Sequence, residues 1–501
     1  MPSFERSAGI LLHITSLPGE FGLGDLGQQA YQFADFLERS GQRIWQLLPI
    51  GPTIQCDSPY SCYSAFAGNP LLISPRSMVN DGFLPASALD SLPACSASAK
   101  QADYACASRT RWALLETAYK QFREQAGCGR VDEYESFCTK QRWWLDDYAL
   151  FAALMRHFKS DQWTKWPEEL VSRDASALGY WRERLSFQVE FEQFIQFVFF
   201  AQWHKLKDYA NRRGIKLFGD MPIFVAHGSA DVWANQGLFC LHPSGESKLV
   251  AGVPPDYFST TGQLWGNPLY NWDVLRSTDY RWWTQRFQMA FDLYDILRID
   301  HFRAFEAYWE IPAGAKTAVG GRWVKGPGTA PFDAARRKLG DLNIVAEDLG
   351  LITDEVHALR EQLKFPGMRV LQFGFDAAHD TFHRPDCFPE DSAAYTGTHD
   401  NSTIVGWLNS RKDRESDLLS AYLQPPQQSG LSFNWQLISM VLRSQSTLAI
   451  VPLQDVLGLD DQARMNVPGQ ATGNWLWRFE DHDLTPEIAD RLRLITVASD
   501  R

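Results

Sequence analysis

Short apolar runs that stop at Gly, Pro, Asp or His recur along the whole chain, and they limit its fold more than any other feature. They are GILLHIT (Gly9–Thr15), RIWQLL (Arg43–Leu48), IKLFG (Ile215–Gly219), YDILRI (Tyr294–Ile299), NIVA (Asn343–Ala346), MRVLQF (Met368–Phe373), YTGT (Tyr395–Thr398) and TLAIV (Thr447–Val451). Runs of this length bounded by turn residues read as buried strands. Stretches with helical spacing, such as Gln28–Arg39 and Thr353–Leu363, separate most of them. Strands alternating with helices make parallel β/α units. Eight units predict a closed (β/α)8 barrel rather than an open sheet.

The interval between the second and third runs is far longer than a barrel unit needs. From Arg109 to Arg213 it has helical periodicity, with Trp112, Leu115 and Tyr119 among its apolar positions. A helical subdomain inserted into one barrel unit is expected at about residues 55–205, with the Pro/Ser/Ala-rich Leu84–Ser98 as a loop. A second insertion, a loop, is expected at about residues 221–275.

Composition removes several classes of partner. The net charge is -12 and the sequence pI about 5.4, so nucleic acid and anionic membranes are not expected to bind. The N-terminus lacks a charged segment followed by a long apolar stretch, and no run reaches membrane-spanning length. The eight cysteines form no C-x-x-C pair and read as reduced structural thiols. A cytoplasmic monomer is the expectation. Tyr60, Tyr63, Tyr257, Phe258 and Trp265 stand in Gly/Pro-rich segments rather than core runs. Aromatic rings on loops suit ligands with flat C–H faces and polar edges, as sugars have.

Three of the strand runs lead into a carboxylate: Asp300 in LRIDHF, Glu347 in VAEDLG and Asp400 in THDN. Barrel enzymes place catalytic groups at strand C-termini, and these spacings suit convergence on one mouth. Arg298 precedes Asp300 by two residues and so leaves the same face of the strand. A guanidinium there favours an ionised Asp300, as a nucleophile or as a stabiliser of an oxocarbenium ion. Glu347 follows an apolar run, and burial raises a carboxyl pKa, as a general acid requires. Asp400, beside His399 and Asn401, suits a clamp on sugar hydroxyls. Each acid alone is more often a cap or an ion-pair partner; three in succession with neighbouring His and Arg favour catalysis. A metal site using His301 and His399 is the rival, which Arg298 disfavours by repelling a cation at Asp300.

Gly22–Gly27 (GLGDLG) fits a dinucleotide-binding glycine pattern. The acid that pattern needs at the tip of the second strand is missing, because Leu48-Pro49 stands there. A tight βα loop is the better reading.

The chain resembles the amylomaltases, the 4-α-glucanotransferases also called disproportionating enzymes, of the α-amylase clan. The motifs that carry the resemblance run in order from ITSLPGEFGLGDLG (Ile14–Gly27) to RMNVPGQATGNWLWR (Arg464–Arg478). Between them lie SPYSCYSAFAGNP (Ser58–Pro70), GDMPIFVAHGSADVWAN (Gly219–Asn235), GVPPDYFSTTGQLWGNPLYNW (Gly252–Trp272), LRIDHFRAFEAYWEIP (Leu297–Pro312), GRWVKGPG (Gly321–Gly328), VAEDLGLIT (Val345–Thr353), FPGMRVLQF (Phe365–Phe373) and YTGTHDN (Tyr395–Asn401). The resemblance implies Asp300 as nucleophile, Glu347 as acid/base and Asp400 as the third acid, with retention at the anomeric carbon. It implies sugar contacts from Arg298, His301, His399 and Asn466, and more weakly from Asp220. Tyr60, Tyr257 and Trp265 lie in motifs used around donor and acceptor subsites, with Phe258 beside them. Ala304 stands where glycine is usual after HFR, and Ser402 where aspartate is usual after THDN.

The resemblance thus implies an enzyme needing no cofactor, with maltooligosaccharides and α-1,4-glucans as donor and acceptor and glucose as acceptor or product. Residues alone leave an α-amylase-like hydrolase open, since both reactions use the same carboxylates. A non-catalytic glucan-binding protein is a third reading, disfavoured by the presence of both Asp300 and Glu347.

Overall fold

The computed structural model of the chain describes every residue except 1–3, 55–56, 91, 93–94, 96–99, 125–128, 256–258, 376–380 and 412–417. In chain order its strands are β1 (Ser7–Leu11), β2 (Ile44–Gln46), β3 (Lys216–Pro222), β4 (Leu249–Val253), β5 (Gln263–Pro268), β6 (Ile296–Asp300), β7 (Ala307–Pro312), β8 (Arg322–Lys325), β9 (Ile344–Ala346), β10 (Gly367–Val370), β11 (Ser392–Tyr395) and β12 (Leu448–Pro452). Eight of them form one sheet in the order β10-β11-β12-β1-β2-β3-β6-β9, with every neighbouring pair parallel. The Ala346 amide at the end of β9 donates to the Pro366 carbonyl just before β10, at 2.9 Å, and so brings the two outer strands together. Strands β9 to β12 are buried along their whole length, as a parallel sheet covered on both faces requires.

Each of the eight expected runs contributes to this barrel, with shifted ends. The largest shift is at YTGT, where only Tyr395 is in the strand. The rest of β11 is Ser392-Ala393-Ala394, small residues that give little apolar signal but fit a tight barrel wall. Thr396 to Thr398 instead form the loop that leads to His399 and Asp400.

The long interval after β2 is mainly helical, with helices Tyr104–Glu124, Gly129–Phe158, Ala175–Arg184 and Ser186–Arg212. The last of these lies against the barrel and closes the β2-to-β3 unit. Its Gln196 side chain bonds both ways with the Gly68 backbone (2.8 and 3.0 Å), and Gln202 does the same with Ser74 (2.7 and 3.2 Å). Trp203 Nε1 donates to the Leu293 carbonyl at 3.1 Å. One hydrophobic cluster runs from the barrel into these helices. The expected loop at Leu84–Ser98 contains a helical turn, Ser87–Asp90.

The stretch expected as a loop insertion, 221–275, contains β4 and β5. They join β7 and β8, from the segment after β6, in an antiparallel sheet of order β5-β4-β7-β8. This sheet stands on the side of the barrel where β6 ends.

The cysteine reading needs correction. Cys95 and Cys106 form a disulfide, with Cα atoms 5.8 Å apart. Spacing gave no sign of it. On the Cys106 side, Ala102 and Asp103 bond to the backbone of Leu476 and Gly22 (2.7 and 2.9 Å), which fixes the chain at the start of the helix carrying Cys106. Cys62, Cys138, Cys240 and Cys387 are free. No helix among the described residues is long and apolar enough to cross a membrane.

Two glycines of the motifs serve close packing. A Cβ at Gly24, in the GLGDLG loop, would lie 2.1 Å from the Ile14 carbonyl oxygen. At Gly219, beside Asp220 in β3, it would lie 2.2 Å from the Tyr294 ring. Gly219→Ala is therefore expected to destabilise the fold by about 1–3 kcal/mol. The measurement is a lower urea midpoint at unchanged slope, and an unmoved midpoint would count against this packing role.

Candidate active site

The C-terminal ends of β3, β6 and β9 and the loop after β11 bring the sequence-selected side chains to one mouth. Arg298, in β6, is buried at 5% exposure and stands at its centre. Its Nη1 donates to both oxygens of Asp220 in β3, at 2.8 and 2.7 Å. Its Nη2 meets Asp300 Oδ1 at 2.9 Å, and its Nε lies 3.4 Å from the Met368 sulfur of β10. Asp220, a weaker candidate from sequence, is thus a direct partner of the central cation. It also accepts the Tyr60 hydroxyl at 2.7 Å.

Asp300 keeps 30% of its side chain open to the mouth. Burial is the largest influence on its carboxyl and raises the pKa, with Arg298 opposing it and Asp220 adding to the rise. Arg298 was expected to hold Asp300 ionised, but it acts against burial rather than alone. Glu347 follows β9, next to β6, and its own amide donates to the Ile299 carbonyl at 3.1 Å. Its two oxygens accept the His301 and Leu349 amides at 2.7 and 2.8 Å. Burial dominates and pushes the Glu347 pKa to about 7, with Arg298 the main opposing influence. The two carboxyls therefore differ in their surroundings: Asp300 touches the guanidinium, while Glu347 is held by neutral amides.

His301 reaches its position through a left-handed backbone, φ 55. For a non-glycine residue this costs about 1–3 kcal/mol, and such strain collects at functional sites. Here it turns the His301 amide to Glu347. The imidazole Nε2 is buried without a protein partner, and burial lowers its pKa to about 3, so the ring is neutral. The Trp265 ring of β5 meets it edge-on at 4.8 Å.

Across the mouth, Asp400 Oδ1 accepts Asn466 Nδ2 at 2.6 Å and lies 3.3 Å from His399 Nε2. The Asn466 amide donates to the His399 carbonyl at 3.1 Å. Tyr60 stacks on His399, with ring centroids 5.1 Å apart. The structure therefore gathers Asp300, Glu347, Asp400, Arg298, His301, His399, Asn466, Asp220, Tyr60 and Trp265. Tyr257 and Phe258 lie outside the described residues. Tyr63 packs against the hydrophobic cluster instead, and burial with nearby Asp161 raises its pKa to about 12.

Sequence reasoning passed over three residues. Arg464 donates to the Asp400 carbonyl at 2.5 Å and to Ser402 Oγ at 3.3 Å, so its partners here are both neutral oxygens. Its signal was its place two residues before Asn466. His13 is buried with Nδ1 unpartnered, and burial lowers its pKa to about 3. Trp475 packs on Tyr60 and His399. Neither had a pattern to mark it. Among the described residues no group of three His, Cys, Asp or Glu side chains is placed to hold a metal ion.

A parallel barrel with an ion-paired aspartate, a half-buried glutamate and a third aspartate at its C-terminal mouth is the architecture of enzymes that act on glycosidic bonds. Within that class the chain belongs to the 4-alpha-glucanotransferase family, whose model matches residues 12–485. It is 48% identical over 495 residues to the 4-alpha-glucanotransferase of Synechocystis sp., covering 98% of this chain and 97% of that one. It is 44% identical over 504 residues to that of Thermus thermophilus, covering 99% of each. The structure of amylomaltase from Streptococcus agalactiae in complex with acarbose matches with a TM-score of 0.95 at 37% identity, over 99% of this chain and 100% of that one. The protein is an enzyme, a transferase of this family.

Proposed function

We propose that the enzyme moves a segment of an α-1,4-glucan to the 4-hydroxyl of glucose or another glucan by a retaining double displacement. The observation that carries this reading is the asymmetric pair at the ends of neighbouring strands: Asp300 on Arg298, and Glu347 on two backbone amides with a pKa near 7. In the first step Asp300 attacks the anomeric carbon. Glu347 gives its proton to the glycosidic oxygen, and the bond to the leaving glucan breaks. In the second step Glu347 takes the proton of an acceptor 4-hydroxyl, whose oxygen displaces Asp300 from the anomeric carbon. Asp400, with His399 and Asn466, holds sugar hydroxyls and stabilises the oxocarbenium-like transition state. His301 Nε2, Tyr60 and Trp265 serve as sugar contacts. The roles of all these residues are part of the proposal.

Acarbose on the Streptococcus agalactiae relative supports an α-glucan ligand. We also propose a monomer acting in the cytoplasm, without nucleic-acid or membrane partners, in keeping with the acidic charge. In a reducing compartment Cys95 and Cys106 would stand as two thiols.

Incubation with maltotriose alone is the test. Glucose plus a ladder of longer maltodextrins is the expected product. Rising reducing ends without any longer chain would mean hydrolysis and end this reading.

A further inference from the structure

Trp475 completes an aromatic cluster whose other members, Tyr60 and His399, end on acids of the mouth. Its ring lies 5.9 Å from both Tyr60 and His399, tilted by 44° and 35°. Tyr60 reaches Asp220 at 2.7 Å, and His399 reaches Asp400 at 3.3 Å. The final torsion of a tyrosine or histidine side chain is broad. The Tyr60 hydroxyl also lies 3.4 Å from His399 Nδ1, so these contacts tie the two rings to each other and to the acids, and packing against a third buried ring limits how far the pair can turn together. Trp475 is 5% exposed, so it is part of the wall rather than of the open surface.

The backbone at Trp475 is also unusual. Its φ of 64° is in the left-handed region, where a bulky residue is strained. Such a conformation persists only where the surroundings over-determine it. Here they do: the Trp475 amide donates to the Met465 carbonyl at 2.8 Å, and its carbonyl accepts the Tyr104 hydroxyl at 3.0 Å. The next carbonyl, Leu476, accepts the Ala102 amide at 2.7 Å. Tyr104 opens the first long helix of the inserted region and Ala102 lies just before it, so that region reaches the mouth through Trp475.

We infer that Trp475 is a positioning residue that aims Tyr60 and His399 at their carboxylates, and that Tyr104 holds Trp475 in its strained conformation. This rests on the proposed transfer reaction, in which Asp400 and His399 act on the transition state. Trp475 acts through its neighbours and not on the sugar.

The test is steady-state kinetics on maltotriose for Trp475→Ala, Trp475→Phe, Tyr104→Phe, His399→Ala and the Trp475→Ala/His399→Ala and Tyr104→Phe/His399→Ala double variants. Trp475→Ala is expected to lower kcat about 30-fold with KM changed less than about threefold, and Trp475→Phe to stay within about fivefold of the parent. Because the two residues share one route, the double variant should lose at least about fivefold less than the product of the single losses. Tyr104→Phe should lower kcat about threefold, again less than multiplicatively with His399→Ala. Losses that multiply fully overturn the proposal. So does a rise in KM alone, which would make Trp475 a direct sugar platform, and so does Trp475→Phe as impaired as Trp475→Ala. If circular dichroism shows that Trp475→Ala does not fold, the Tyr104→Phe/His399→Ala double variant decides: a loss equal to that of His399→Ala alone supports the proposal, and a further loss of about threefold overturns it. A parent enzyme that builds no longer chains from maltotriose would refute the transfer reading instead.

Discussion

Asp300→Asn is expected to lower kcat for maltotriose disproportionation at least about 10⁴-fold while leaving the fold intact, because it removes the carboxylate that both touches Arg298 and opens to the cleft. Asparagine is close in shape and cannot form a stable ester with the anomeric carbon. Arg298 keeps both contacts with Asp220, so no buried cation is stranded and the thermal midpoint should move by only a few degrees. Turnover within about tenfold of the parent would refute the nucleophile assignment.

Glu347→Gln is expected to lower kcat on maltotriose by about 10²–10⁴-fold, the usual contribution of a general acid. The loss should depend on the leaving group. An α-maltosyl fluoride needs no proton on departure, so its first step should survive and the glycosylated Asp300 should accumulate for detection by mass spectrometry. The same group sets the pH dependence. The acid must be protonated, so kcat/KM falls as pH rises through about 7, where Glu347 loses its proton. On the acid side it falls as Asp300 takes one up; the two values belong to the pair, since each carboxyl alters the other. The alkaline limb should vanish for Glu347→Gln acting on the fluoride. A variant that retains that limb, or that turns over maltotriose near the parent rate, would transfer the acid role elsewhere.

Much of the barrel was legible because its strands are buried on both faces and read as unbroken apolar runs. The second sheet was not. Residues Gln263–Asn267 of β5 and most of β8 are exposed or half-exposed, and Gly, Asn and Pro interrupt β5, so neither has a strand signature. The carboxylates were legible because strand ends announce them. Asp220 was underrated because its partner, Arg298, lies on another strand 78 positions away in the chain. Trp475 and His13 were invisible for a related reason. A buried aromatic or histidine reads as core, and only the folded chain shows which rings border a cleft.

In the proposed covalent stage Asp300 becomes a neutral ester, and Arg298, if paired with it alone, would be left buried beside an uncharged group. Asp220 spans the same guanidinium with both oxygens, so the cation has a counter-charge at every point of the cycle. In that proposed cycle the guanidinium stays in place to receive the carboxylate when the sugar departs, and the pocket need not rearrange between half-reactions.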